Sequence, residues 1–564
     1  MCIRDRNSDT VVTKDWANKL INYLVENNSA SVTPISNCAT IFSFPLRGED
    51  NELYLDLSPE IINSSFNKFV SPEPIEIPTG VGFCMAFNYD VVAEIGMFDT
   101  AFGVGYGEEN DWCLRATKSG YSNHLLLNCF IYHRHGGSFE SDVKRKQLKN
   151  NLNLLNDRYP GYDEQISSWI NRDLLSASFF FSEIQLISEK AQYVTIILDY
   201  TSGGGAAYFR EKLVKNLLSL ENHCVYYVDG SKGIDYYNVE VHYEKQIREF
   251  RFEDPIEFKE LYNTINVDKL IINNLVGSFN VMEWIDLIVG ADISADEIEV
   301  YIHDFHSICP SYTLLSAEDE YCGVPSDLGI CKSCIKRISH TNILGYTDII
   351  EWREEFNKLL GAADKITVFS NSSKNILLRA YPKHRSKIKV EPHEVEYMPK
   401  PIYTSKNNKE TVIGVLGGIN FQKGSDIVIA LGKHIDRNSL DVKIAVIGDL
   451  VSDNELNYSN SITVTGRYKR EDIPQLTSDF EIDIFFIPSI WPETFSYTTQ
   501  EIINMNVPLA VFDLGAPSER VIDYENGLIL DYKKRYNCSY VLDSMKNYLD
   551  DLNALLPEEQ SSLN

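Results

Sequence analysis

No apolar run in the 564 residues approaches the roughly 18 that a membrane span needs, so no transmembrane segment is expected. No apolar leader stands behind a basic start, which removes the usual mark of secretion. Positive charge is scarce: 52 Lys and Arg face 81 Asp and Glu, a net charge of -29. That balance repels phosphate backbones and anionic lipid alike, which argues against nucleic acid as a partner while leaving room for a local basic pocket around one nucleotide. Cysteine offers no even, regularly spaced set; the 11 residues are unevenly spread and point to a reducing cytoplasm.

What is present is enough apolar sequence for several cores. A hydrophobic fraction of 44% with 24% charged residues is ordinary globular composition, and domains cluster at about 100 to 200 residues. The first six residues, Met1-Cys2-Ile3-Arg4-Asp5-Arg6, resemble the translation of a transposase adapter used in preparing sequencing libraries. They are set aside from fold reasoning, with the expectation that protein upstream is missing.

In residues 7–142, Asn7-Ser8-Asp9-Thr10 leads into a periodic stretch with Trp16, Leu20, Ile21 and Leu24, a loop feeding an amphipathic helix. Pro78-Thr79-Gly80-Val81-Gly82-Phe83-Cys84 precedes a strand at Met85 to Phe87, and Ile95-Gly96-Met97-Phe98-Asp99 closes a short helix. Then come Tyr106-Gly107-Glu108-Glu109-Asn110-Asp111-Trp112 and Tyr132-His133-Arg134-His135. An acidic motif, a Gly-x-Phe-Asp segment, an acidic pair opening a helix and a late histidine, in this order, resemble the second half of a family 2 glycosyltransferase of the GT-A type.

The resemblance implies Mn2+ or Mg2+, a hard cation that helps a nucleotide diphosphate leave. Asp9 and His133 would be its ligands and Glu109 the general base of an inverting transfer. Two departures stand out: Asn7 replaces an aspartate of the metal motif, and Glu109 stands where aspartate is usual. A core role for His133, and a helix-capping role for the acidic run, remain alternatives. The half of the family fold that holds the nucleotide base would lie before Asn7.

Residues 143–192 read as a helical connector, Lys144 to Tyr159 and Asp163 to Lys190, broken only at Pro160-Gly161. Beyond it strands and helices alternate, the sign of α/β architecture with parallel sheets. The expected strands are Val194 to Asp199, Cys224 to Val228, Leu270 to Asn273, Glu299 to His303 and Ile366 to Phe369. A second set is Val412 to Leu416, Lys443 to Ile447, Ile462 to Thr465, Asp483 to Ile487 and Leu509 to Phe512. Two sets imply two Rossmann-like domains, 193–400 and 401–564.

Gly203, Gly204 and Gly205 form a loop between the first strand and a helix, where backbone amides can meet a phosphate or sugar. Tyr208 stands at the third glycine of a dinucleotide fingerprint, and no Gly-Lys-Ser/Thr follows to make a P-loop. Gly417-Gly418-Ile419-Asn420-Phe421-Gln422-Lys423-Gly424 follows a strand, and Glu493 and Glu501 enter a helix with seven residues between them. These resemble family 4 retaining glycosyltransferases of the GT-B type. The resemblance implies that Glu493 reaches the donor sugar, Glu501 holds the ribose, the amides around Phe495 and Ser496 face the diphosphate, and Lys423 neutralises it. His303, at a strand end, would touch the donor sugar or steer the acceptor, with a structural histidine as the alternative. The arginine often found at the position of Gly418 is missing. No cofactor is implied for this module's chemistry.

Cys309, Cys322, Cys331 and Cys334, spaced x12, x8 and x2 in a loop-rich stretch, suit a structural Zn2+. Metal-free thiols and a redox or disulfide role are the other readings.

The whole implies a partial GT-A domain followed by a GT-B module. Its expected work is glycosyl transfer from nucleotide-sugar donors to a saccharide or lipid-linked acceptor in bacterial surface glycan synthesis, in the cytoplasm or at the membrane's inner face. The rivals are a noncatalytic nucleotide- or glycan-binding scaffold and, against a poor glycine-loop match, a Rossmann oxidoreductase.

Overall fold

The computed structural model describes residues 2–67, 75–103, 107–134, 142–199, 204–229, 237–244, 246–252, 255–263, 265–277, 281–290, 293, 295–338, 348–402, 410–451 and 459–555. The chain divides into two compact units, Met1–Gln192 with Glu260–Asn266, and Tyr193–Lys259 with Val267–Asn564.

The first unit is built on a mixed five-stranded sheet in the order Cys2–Arg6, Cys84–Asn88, Ser31–Ile35, Asn123–Phe130, Ile75–Ile77. The adapter-like residues Cys2–Arg6 pair antiparallel with Cys84–Asn88. Helix Trp16–Glu26 buries Leu20 and Leu24, four residues apart on one face. Helix Glu108–Lys118 buries Trp112, Cys113 and Ala116 against Met85 and Phe87, the Phe87 and Trp112 rings meeting edge to face at 4.7 Å. Removing so deeply buried an indole costs about 3–5 kcal/mol. A separate pair of short strands, Thr10–Val11 and Tyr132–His133, sets Thr10 opposite His133 and so brings Asp9 beside that ring.

The residues expected as a connector belong to this unit and form three helices, Asp142–Arg158, Tyr162–Asn171 and Ser176–Lys190. The second break corrects the expectation of one interruption. It falls where Asp173 takes a left-handed φ of 51°, and Arg47 pairs with the Asp173 carboxylate. Phe179 then meets Phe44 and Phe66 edge to face at 5.3 and 5.9 Å.

The second unit holds two sheets. The first has eight strands in the order Gln246–Phe252, Tyr237–Tyr243, His223–Asp229, Tyr193–Asp199, Lys269–Ile272, Glu297–Ile302, Lys365–Val368, Ile388–Val390. Its last six run parallel, and the leading two form an antiparallel hairpin at the edge. The second sheet is parallel throughout, in the order Ile462–Val464, Val442–Ile447, Thr411–Leu416, Ile484–Ile487, Leu509–Phe512, Gly527–Leu530. Numbered along the chain, that order is the doubly wound one that reverses between its first and fourth strands.

Strands buried on both faces are uninterrupted apolar runs, as in Ile484–Ile487 and Leu509–Phe512, where every residue is buried. The reversal leaves a crevice at the carboxyl ends of Thr411–Leu416 and Ile484–Ile487. In the first sheet the equivalent point lies between Tyr193–Asp199 and Lys269–Ile272.

Candidate functional site

The strand ends of both sheets in the second unit open onto one cavity of about 730 Å³. Its wall includes Gly204, Gly205, His303, Lys423, Glu493, Phe495, Ser496 and Glu501, so residues nearly 300 positions apart in sequence meet at one place. Gly203 lies outside the described residues.

Local geometry explains how each is held. Helix Gly205–Leu218 starts at the cavity, and a Cβ on Gly205 would come within 2.9 Å of the Tyr497 ring, so the bare backbone lets that ring approach. Gly424 has φ 85°, and a Cβ there would run into the Pro488 carbonyl. Glycine thus lets the Lys423 loop lie against the strand end that carries Glu493.

Ser496 takes a left-handed φ of 66° ahead of helix Tyr497–Met505, a strained conformation for a residue with a side chain. The Phe495 carbonyl accepts from Arg520 Nε at 3.0 Å, and the Arg520 guanidinium lies 3.7 Å from the Phe495 ring centre. Thr494 Oγ1 donates to the His303 carbonyl at 2.8 Å, tying the glutamate loop to the other sheet.

The cavity's histidines are held uncharged. Burial, and then His393, keeps His303 well below its usual value; burial pushes His306 down to about 3, and burial with Arg520 and Lys212 does the same for His393. His303 Nε2 lies 2.9 Å from Asn273 Oδ1, an acceptor, so that nitrogen donates. Burial pushes Asp304, beside it, up to about 6. Among the lining residues, Lys423 and Arg470 are the cations.

Sequence reasoning missed Arg470, Tyr208, His393 and Tyr497. Arg470 Nε donates to Glu501 Oε1 at 2.7 Å. Its only sequence signal was the polar run Arg467-Tyr468-Lys469-Arg470 just after the strand Ile462–Val464, at the carboxyl edge of the sheet.

The first unit gathers its own residues. His133 Nε2 stands 3.5 Å from Asp9 Oδ1, an oxygen that is buried without a hydrogen-bond partner among the described residues. His133 Nδ1 lies 2.9 Å from the Cys38 carbonyl, which can only accept. In the neutral ring the lone pair is therefore on Nε2, the atom facing Asp9. Phe83 stacks on the His133 ring at 5.5 Å, and Glu109 packs against the adjacent Gly82. Burial, and then the neighbouring Glu108, pushes Glu109 up to about 7. Asp111 is otherwise engaged, by Arg115 at 2.9 Å, Arg158 at 3.0 Å and the Tyr159 hydroxyl at 2.9 Å.

The four cysteines of the zinc reading come together in the fold. Cys309, Cys322, Cys331 and Cys334 all line one cavity of about 260 Å³ as free thiols. Among the described residues, however, no group of three or more His, Cys, Asp or Glu is gathered to hold a metal ion. Three of the thiols turn to local partners instead: Cys309 to the Ser311 hydroxyl, Cys331 to Arg353, and Cys334 to the Ala317 amide.

No helix among the described residues is long and apolar enough to cross a membrane. Residues 402–540 match the family model described as glycosyl transferases group 1, a match to well under half of the chain. None of the curated proteins matches the chain in sequence. Among solved structures, sucrose-phosphate synthase from Thermosynechococcus elongatus is similar at 13% identity, with a TM-score of 0.41, over 64% of this chain and 95% of that one. The lipopolysaccharide outer core galactosyltransferase WaaB in its apo form is similar at 11% identity and TM-score 0.40, over 64% and 91%. Anabaena HepE in complex with UDP is similar at 14% identity and TM-score 0.37, over 64% and 94%. Residues 402–540 are thus similar to the group 1 glycosyl transferases, and the chain is an enzyme, a glycosyltransferase.

Proposed function

We propose that residues 193–564 form a GT-B module that transfers a sugar from a nucleotide-diphosphate donor, with retention and without a metal ion, to a saccharide or lipid-linked acceptor of a bacterial surface glycan. The observation that carries this reading is the convergence of Glu493, Glu501, Lys423, Ser496 and His303 on one 730 Å³ cavity. Glu493 takes the donor sugar's hydroxyls and Glu501 the ribose. The amides opening helix Tyr497–Met505 and the Lys423 ammonium face the diphosphate, so fixed dipoles and one point charge stabilise the charge that develops on it.

As the bond from the anomeric carbon to phosphate breaks, its electron pair stays on the phosphate oxygen. That oxygen takes the proton of the acceptor hydroxyl attacking from the same face. His303, uncharged and donating through Nε2 to Asn273, orients sugar hydroxyls and moves no proton.

The same proposal extends to residues 7–142 as the second half of a GT-A domain that acts with inversion. Asp9 and His133 would hold Mn2+ or Mg2+, which supplies charge to a leaving diphosphate. The buried, unpartnered Asp9 Oδ1 and the lone-pair side of His133 fit a cation. Glu109, pushed up to about 7, suits a base working near neutral pH.

Glu493→Gln in the full chain tests the enzyme reading against a noncatalytic scaffold. Nucleotide release should fall by about 100-fold or more while nucleoside diphosphate binding persists. Unchanged release would remove Glu493 from the chemistry.

A further inference from the structure

Arg470 was singled out by neither motif nor spacing, yet it sits on the cavity wall with a distinctive set of partners. Its short bond is Nε to Glu501 Oε1 at 2.7 Å. Its other contacts are longer: Nη1 to the Tyr208 hydroxyl at 3.3 Å and to Glu396 Oε2 at 3.5 Å, and Nη2 to the Glu396 carbonyl at 3.5 Å. The guanidinium thus joins helix Tyr497–Met505, which carries Glu501, helix Gly205–Leu218, which carries Tyr208, and the segment between the two sheets.

Glu501 has a side chain only 8% exposed, whereas that of Arg470 is 25% exposed. A carboxylate so placed is costly to keep charged and free to swing unless a partner fixes it.

We infer that Arg470 is the positioning residue for Glu501, fixing its carboxylate to accept from the hydroxyls of a nucleotide ribose. This rests on the donor reading of the cavity given above. The fork matters as well as the charge: Nε serves Glu501 while Nη1 and Nη2 face Tyr208 and Glu396, which a lysine ammonium cannot do from one fixed plane.

The electrostatics around Glu501 agree. Burial raises its carboxyl above the usual value, and Arg470 and then Lys423 oppose the rise. Tyr468 and Tyr497 also face it, and Glu396 lies on the far side of Arg470. Without Arg470, burial is opposed chiefly by Lys423, so Glu501 should take up a proton as pH falls and then lose its grip on the ribose.

The test is isothermal titration of the full chain with UDP, ADP, GDP, CDP and dTDP between about pH 6 and 8.5. Wild type should bind at least one of them with little dependence on pH. Arg470→Gln should bind more weakly than wild type, and the more so the lower the pH. Arg470→Lys should bind more weakly than wild type at every pH but without the added loss at low pH. Arg470→Gln combined with Glu501→Gln should bind no worse than Glu501→Gln alone.

Affinity in Arg470→Gln equal to wild type at every pH would overturn the inference while leaving the donor site standing. Failure of wild type to bind any of the five would instead overturn the donor reading itself. If Arg470→Gln does not fold, Arg470→Lys decides: loss of affinity at an unchanged melting temperature supports the role, and unchanged affinity rejects it.

Discussion

Under the functions proposed above, the two units meet one electrostatic problem in opposite ways. In the second, Lys423, Arg470 and the opening of helix Tyr497–Met505 bring positive charge to the cavity. In the first, His133 turns its lone pair toward the Asp9 carboxylate, and Glu108 lies beside Glu109. On the proposed reading the former meets a diphosphate directly, and the latter needs a cation between itself and a phosphate. The units differ in their source of positive charge, which the proposal assigns to side chains and helix amides in one and to a bound cation in the other.

The sharpest way to break this contrast is to remove the first unit's proposed ligands. Asp9→Asn and His133→Ala should each lower Mn2+ affinity of the full chain by about tenfold or more, read by titration calorimetry, and leave nucleotide binding by the second unit untouched. Equal Mn2+ binding in both variants and wild type would erase the distinction.

A smaller effect concerns Glu109. Its folded carboxyl keeps a proton up to about 7, whereas the unfolded one releases it near the usual 4.5. The native state therefore binds more protons between these values, and stability present at low pH is lost as pH rises through that window. Glu109→Gln should remove this loss, worth roughly 1–3 kcal/mol, seen as equal hydrogen-exchange protection of amides in helix Glu108–Lys118 at about pH 5 and 8. Wild type should be less protected at the higher pH.

How much of this was legible depended on which physical signal each element carries. The central strands of the second unit are unbroken apolar runs, so Ile484–Ile487 and Leu509–Phe512 stood out in the sequence. The hairpin Tyr237–Tyr243 with Gln246–Phe252 did not, because one face meets water and Glu240 and His242 interrupt the apolar residues. The helix break near Asp173 carries neither glycine nor proline, so nothing local announced it.

Glu493, Glu501, Lys423 and His303 stood out in the sequence by residue type and spacing, and the fold brings them to one cavity wall. Arg470 did not stand out, since its partner Glu501 lies 31 positions away and only folding makes them neighbours. The cysteines were legible as a group: the spacing suited to zinc comes to one cavity wall, where Cys309, Cys331 and Cys334 meet separate partners.

The most direct test of the account is nucleotide release by the full chain from uridine, guanosine, thymidine and cytidine diphosphate sugars with a chelator present. Release from one donor, undiminished by the chelator and abolished by Glu493→Gln, is the predicted result. Release that disappears with the chelator, or that survives Glu493→Gln, would contradict it.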